Sequence, residues 1–360
     1  MKSTKLDAAF AGFKRRGVLA AAVAGLAVLG VMADAGPAKA QEVTLRMHQF
    51  LPPQATVPAK ILIPWAEKVG KDSGGRIKVE VYSAMALGGR PPELISQARD
   101  GAVDIVWTLP GYTPGLFSRA EVFELPFMAT NAEATSRAYW EVFESDMKDA
   151  DFADFKILAT WVHGPGVIHG KGDGVRELAD MEGKKVRGPT RVINGLLSTL
   201  GATPVGMPVP AIPEALSKGV IDATVIPWEV TRALKVPELT ETHTEFGGDR
   251  MLYTAAFVLA MNKAKYDSLP DDLKAVIDAN SGADVSANAG RLMQEADKPS
   301  RDVAEGRGNA IVSIDGAELD KWKAAAQPVV DDWIAEMDGK GIDGNALIEK
   351  ARAAIKKHSM

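Results

Sequence analysis

The residues of this chain with chemistry to offer are five histidines, a set of arginines and a group of tryptophans; cysteine is absent. His48, His163, His169, His243 and His358 are dispersed. None forms a His-x-x-x-His pair beside a glutamate, so the common zinc-hydrolase motif is missing. His163 and His169 lie in a glycine-rich stretch at a spacing poorly suited to a metal, and each histidine reads more readily as a surface or satisfied core residue. Without cysteine there are no disulfides, thiolate metal sites or thiol nucleophiles. No Gly-x-Ser-x-Gly elbow and no Gly-x-x-x-x-Gly-Lys phosphate loop occurs. The glycine-dense run Gly170-Lys171-Gly172-Asp173-Gly174 follows no strand–helix pattern and is expected to be a turn. These absences lower the prior for an enzyme. Neither a cofactor nor a metal is expected.

Two positive features remain. Lys184-Lys185-Val186-Arg187 runs as a short strand into Gly188-Pro189, which delivers Arg187 at the carboxyl end of a strand, where α/β sheets bind ligands. A guanidinium there can grip a carboxylate through two parallel hydrogen bonds. From the residues alone, a surface ion pair is the commoner role for such an arginine. The second feature is a set of aromatics at or after predicted strand ends: Trp107, Tyr112, Trp161 and Trp228. Such side chains line pockets for apolar or aromatic ligands, and equally pack against neighbouring helices.

The elements that must position these residues follow from periodicity. Strands are expected at Val43–His48, Ile77–Tyr82, Val103–Thr108 and Phe155–Trp161, with helices at Val57–Lys71, Pro91–Asp100 and Ala132–Lys148 between them. A second α/β rhythm follows, with strands at Lys184–Arg187, Thr203–Val205, Ala223–Ile226 and Met251–Met261 and helices at Ile193–Leu200 and Pro213–Lys218. The segment Asp271–Lys356 reads as helical, with a break at Gly306–Gly316. Alternation of this kind predicts two α/β lobes with largely parallel sheets and a helical tail.

The N-terminus has Lys14-Arg15-Arg16, an apolar run to Met32, and Ala38-Lys39-Ala40 before Gln41. That is the order of a secretory signal peptide, so residues 1–40 are expected to be cleaved. Arg15-Arg16 suits an ordinary basic region or twin-arginine export. Removing the basic residues Lys2, Lys5, Lys14, Arg15, Arg16 and Lys39 and the acidic Asp7 and Asp34 from a chain with 42 basic and 47 acidic residues leaves a net charge of −9. Such an acidic surface argues for no nucleic acid partner.

Several segments, in order, resemble the substrate-binding subunits of tripartite ATP-independent periplasmic (TRAP) transporters, the DctP-like family. Gly74 to Tyr82 (GGRIKVEVY) is similar to the family's T-G-G-R-V-K-V-E-V-Y-P, and Leu87-Gly88 to its next Leu-Gly. Asp100 to Ile105 (DGAVDI) and Leu125-Pro126-Phe127 resemble its G-A-V-D-I and L-P-F. Asp180 to Pro189 (DMEGKKVRGP) is similar to D-L-K-G-K-K-I-R-V-P, and Ala215 to Asp222 (ALSKGVID) to A-L-Q-x-G-V-V-D. Met261-Asn262-Lys263 followed by Leu269-Pro270 resembles its closing strand and turn.

The resemblance implies a two-lobed periplasmic-binding-protein fold with a hinge and C-terminal helices. It implies lobe I at 41–163 plus 252–291 and lobe II at 164–251 plus 292–360. It implies a monomer that captures an organic acid and hands it to small and large integral-membrane subunits. Arg187 falls on the family's carboxylate-binding arginine. Some members add a second arginine, at a position that is Gly166 here, and sialate-type members an asparagine, at a position that is Ile226 here. Both losses favour a monocarboxylate with an apolar or aromatic body, such as a 2-oxo or 2-hydroxy acid. The expected ligand set is Arg187, Trp228, Tyr112, Trp107, His48, Trp161, His169 and Arg191. An exported α/β enzyme, or a periplasmic sensor subunit acting on a similar acid, is the alternative.

Overall fold

The computed structural model describes residues 41–360, so the expected leader lies outside the described residues. In chain order the strands are β1 (Val43–His48), β2 (Ile77–Tyr82), β3 (Ile105–Thr108), β4 (Phe155–Val162), β5 (Gly166–Gly170), β6 (Lys185–Gly188), β7 (Thr203–Gly206), β8 (Ala223–Pro227), β9 (Thr242–Phe246), β10 (Ala256–Asn262) and β11 (Ala310–Ile314). One sheet is ordered β2-β1-β3-β10-β4 and the other β11-β9-β5-β8-β6-β7.

Both sheets are mixed rather than largely parallel. In the first, β10 runs antiparallel to β3 and β4. In the second, β5 runs antiparallel to β8 and β9. The cause is chain crossing: β5 follows β4 after only His163-Gly164-Pro165, and β10 returns from β9 through residues 247–255. Such strands enter from the other lobe and need not follow the right-handed βαβ rule that keeps neighbours parallel.

Local sequence explains most elements. Every residue of β10 is buried, as its unbroken apolar run demands of a strand covered on both faces. The predicted helix Val57–Lys71 forms, but widens into a π-turn over Val57–Leu62, where the N–H of Ile63 reaches the carbonyl of Pro58. Pro64 follows, with no N–H to continue the ladder. The expected strand Met251–Met261 begins only at Ala256. Ahead of it, Met251, Leu252 and Tyr253 bond to the backbones of Ala129, Phe127 and Gly166, so their polar groups serve loops rather than a ladder. β5, β9 and β11 were not expected. They are short, glycine-flanked or threonine-rich, and β11 occupies the expected helix break.

The links that cross between the sheets are laced together. Thr254 Oγ1 donates to the carbonyl of His163 (2.8 Å), and the N–H of Ala255 donates to His163 Nε2 (3.0 Å). Beyond β11, the helix Gly316–Gly339 packs on Arg191–Thr199. The final helix, Gly344–His358, lies instead against Ala132–Val142, beside the first sheet, although the sequence grouped residues 292–360 with the second lobe. Lys350 pairs with Asp146 and His358 with Glu141 to hold it there, each at 2.8 Å.

Candidate functional site

A narrow cavity of about 30 Å³ is lined from both sheets. The first sheet and its links contribute Phe50, Trp107, His163, Tyr253 and Phe257; the second contributes Arg187, Val225, Ile226, Glu229 and Val230. All of these side chains are buried.

Arg187 arrives on β6, flanked by β7 and β8, and is fully buried. Nε donates to the carbonyl of Met207 (2.8 Å) and Nη1 to that of Val225 (3.2 Å), which fixes the guanidinium plane. Nη2 has no partner. Among the described residues no carboxylate lies within ion-pair reach of it. Burial pulls its pKa down from the usual range, and the nearby Tyr112 and Tyr253 hydroxyls partly oppose this. A buried cation without a counter-charge is costly, and a ligand carboxylate supplies one.

The walls are aromatic. Trp107 stacks against Phe50 (4.6 Å between centroids, 17°) and Phe257 (5.2 Å, 24°), yet its indole Nε1 has no partner. Tyr253 also lacks a partner for its hydroxyl. Its ring explains Gly166: a Cβ there would sit 2.0 Å from Tyr253 Cε1. The tyrosine therefore fills the space that a side chain at 166 would need. His163 presents only its ring, because Nδ1 meets the carbonyl of Gly164 (2.5 Å) and Nε2 accepts from Ala255. Burial lowers its pKa to about 4, so it is neutral.

Glu229 is the second residue of the short helix Trp228–Thr231, directly after β8. Its N–H donates to Asp297 Oδ1 (2.8 Å), while its own carboxyl Oε2 is buried without a partner. Burial raises its pKa to about 7. Four side chains lining this cavity thus carry a buried polar atom without a partner: Arg187 Nη2, Trp107 Nε1, Tyr253 Oη and Glu229 Oε2. Buried polar groups are rarely left so, and their convergence is what a ligand site requires.

Of the eight expected residues, Arg187 and Trp107 line the cavity. Tyr112 stands just behind, its hydroxyl accepting from the N–H of Val209 (3.1 Å) and its ring tilted against Phe50 (5.8 Å). The other five are engaged elsewhere. Trp161 lies behind Trp107 (6.3 Å, 4°), its Nε1 on Met293 Sδ (3.2 Å). His48 bonds Gln97 Oε1 (2.7 Å) and accepts from the N–H of Leu87 (3.2 Å), pinning a loop. Arg191 is paired with Glu121 and Glu336. Trp228 donates to Glu245 Oε1 (2.7 Å), and His169 pairs with His243 (2.7 Å between Nδ1 atoms).

Phe50, Tyr253, Phe257 and Glu229 were missed. Only Glu229 left a signal, as a lone carboxylate within the mainly apolar run Ala223–Ala233. Among the described residues no group of three or more metal-binding side chains converges.

The profile of the bacterial extracellular solute-binding proteins, family 7 (DctP), matches residues 49–336. A crystal structure of a TRAP solute-binding protein from Rhodoferax ferrireducens T118, in complex with copurified benzoate, is 52% identical, covering 88% of this chain and 98% of that one with a TM-score of 0.86. A marine metagenome TRAP solute-binding protein specific for aromatic acid ligands, co-crystallised with 3-hydroxybenzoate, is 49% identical over 89% of this chain and 100% of that one (TM-score 0.87). One from Bordetella bronchiseptica with bound mandelate is 28% identical over 88% and 99% (TM-score 0.81).

Proposed function

This chain belongs to family 7 of the bacterial extracellular solute-binding proteins, the TRAP type, and we propose that it captures an aromatic monocarboxylate with Arg187 on the carboxylate. It is a transport protein and not an enzyme, and its ligand class is organic acids. The observation that carries the finer reading is the set of unsatisfied donors on an aromatic cavity. Arg187 Nη2, Trp107 Nε1 and Tyr253 Oη are three such donors, and Phe50 and Phe257 offer apolar surface for a ring. The solved relatives with benzoate and 3-hydroxybenzoate support the same ligand class. With Gly166 closed off by Tyr253 and Ile226 apolar, a second carboxylate finds no second arginine.

Binding works by closure. The two sheets and their helices form lobes that meet at the laced links, and the ligand shifts the open–closed equilibrium only by its differential affinity for the two states. Closing expels water, which strengthens the ion pair at Arg187. The dividing line runs through His163-Gly164-Pro165 and residues 247–255, with the last helix travelling with the first lobe. The family is periplasmic, and no helix among the described residues is long and apolar enough to cross a membrane. The loaded protein, a monomer released from its leader, docks on small and large membrane subunits of its transporter.

The test is a thermal-shift panel on refolded protein. Benzoate and mandelate are expected to raise the melting temperature, because a ligand of the native state stabilises it by mass action. Succinate and glucuronate are expected not to. A larger shift from succinate than from benzoate contradicts the reading.

A further inference from the structure

Arg187 and Glu229 both line the cavity, and a ligand carboxylate on Arg187 leaves Glu229 Oε2 still unpaired. At Tyr112 and Tyr253 burial holds the phenols above their ordinary range, and the charge of Arg187 opposes it. At half-buried Asp297, burial and then the Glu229 carboxyl both push the pKa upward. Arg187 Nη2 and Glu229 Oε2 are each unpartnered, so the two groups do not bond one another.

Glu229 is held rigidly for a residue with no known task. Its N–H is tied to Asp297 Oδ1, and its carbonyl accepts from Thr56 Oγ1 (3.5 Å) and Ser300 Oγ (3.4 Å). Thr56 also reaches its carboxyl, but Oε2 is left without a partner. A buried carboxyl oxygen left unpaired is expensive. A donor brought by the ligand removes that cost.

We propose that Glu229 is the specificity residue for the distal end of the ligand, and that the preferred substrate is an aromatic acid carrying a hydroxyl on its ring. This rests on the carboxylate reading at Arg187. A hydroxyl suits the position because it can donate to an ionised carboxylate or accept from a protonated carboxyl. Sites built to bond a polar group reject analogues that lack it far more strongly than apolar pockets reject one methylene.

The experiment compares benzoate, 3- and 4-hydroxybenzoate and the corresponding methylbenzoates by calorimetry on refolded protein. The methyl compounds match the hydroxyl compounds in size. Wild type is expected to prefer one hydroxybenzoate over its methyl counterpart by at least about tenfold. In Glu229→Leu that preference is expected to vanish or reverse. Glu229→Gln, which retains a carbonyl acceptor and an isosteric shape, is expected to keep part of it. Wild type without a hydroxyl preference, or either variant with the full wild-type preference, overturns the inference while leaving Arg187 intact. Failure of every benzoate to bind wild type overturns the carboxylate reading and this inference with it.

Discussion

Two clusters of buried aromatics and titratable groups stand on either side of β8, and they differ in one respect. In the cluster around Trp228, the side-chain polar atoms of His169, His243, Trp228 and Glu245 all have partners. His169 Nε2 faces the carbonyl of Ile226 (3.2 Å) and so carries the proton. Its Nδ1 then accepts from His243 Nδ1, and His243 Nε2 accepts from Asn309 Nδ2 (2.9 Å). One tautomer of each ring satisfies all four nitrogens with both histidines neutral. Burial agrees, placing His243 at about 4 and His169 well below its ordinary range. Trp228 ends on Glu245, which Arg301 neutralises at 2.8 Å. In the cavity, by contrast, four polar atoms have no partner. Residue type does not separate the two clusters, since both hold tryptophan, histidine and glutamate or its partners. Hydrogen-bond satisfaction does: the closed cluster is satisfied within the fold, and the open one is the candidate site.

The largest expected effect breaks the open cluster. Arg187→Met keeps the side chain's length but removes the cation, and truncating one partner of a buried charge pair costs ~2–5 kcal/mol. Benzoate affinity, measured by calorimetry, is expected to fall by about a hundredfold or more with circular dichroism unchanged. Near-native affinity would erase the distinction between the clusters.

Next comes the unpaired carboxyl. Glu229 titrates at about 7 in the fold, against 4.5 for an ordinary glutamate. A raised carboxyl pKa means that the folded state holds a proton the unfolded state has lost. Its stabilising contribution is therefore complete below about pH 4.5 and lost as pH climbs to about 7. Glu229→Gln, which cannot titrate, is expected to gain on ligand-free wild type by about 1.4 kcal/mol per pH unit across that window. Urea unfolding at pH 5 and pH 7 reads the difference, and a pH-independent difference contradicts it.

A smaller effect is expected from the closed cluster. His243→Leu strands His169 Nδ1, while Asn309 keeps the carbonyls of Pro237 and Thr240, and a buried unsatisfied group costs ~1–3 kcal/mol. The melting temperature should drop, while benzoate affinity stays within about threefold, as for sites that share no ligand contact. A large loss of affinity would move this cluster into the site. Smallest is Trp161→Phe behind the cavity wall, a near-conservative swap expected to cost under ~1.5 kcal/mol and to leave affinity unchanged.

The contrast also explains what was legible in the sequence. The place of Arg187 on the cavity was readable because a strand, a Gly-Pro turn and a family segment coincide there. Trp107 was readable because its strand is local. His48, Trp161, His169, Trp228 and Arg191 sit at equally suggestive places, yet their fate depends on partners such as Gln97, Met293, His243, Glu245 and Glu121, which are distant in the chain. Nothing local reveals such pairing. Tyr253 was hidden inside an apolar run that reads as one strand, and its position became clear only through the link that crosses to Gly166. The first sheet was nearly all visible as alternation, whereas β5, β9 and β11 depend on neighbours from far along the chain. Single-strand crossings of this kind also turned the expected parallel sheets into mixed ones.

The most direct measurement is a crystal structure of the protein soaked with benzoate. The account predicts a carboxylate oxygen at about 3 Å from Arg187 Nη2, with the ring against Phe50 and Phe257. Benzoate elsewhere, or its ring at Arg187 and its carboxylate away from that nitrogen, would contradict it.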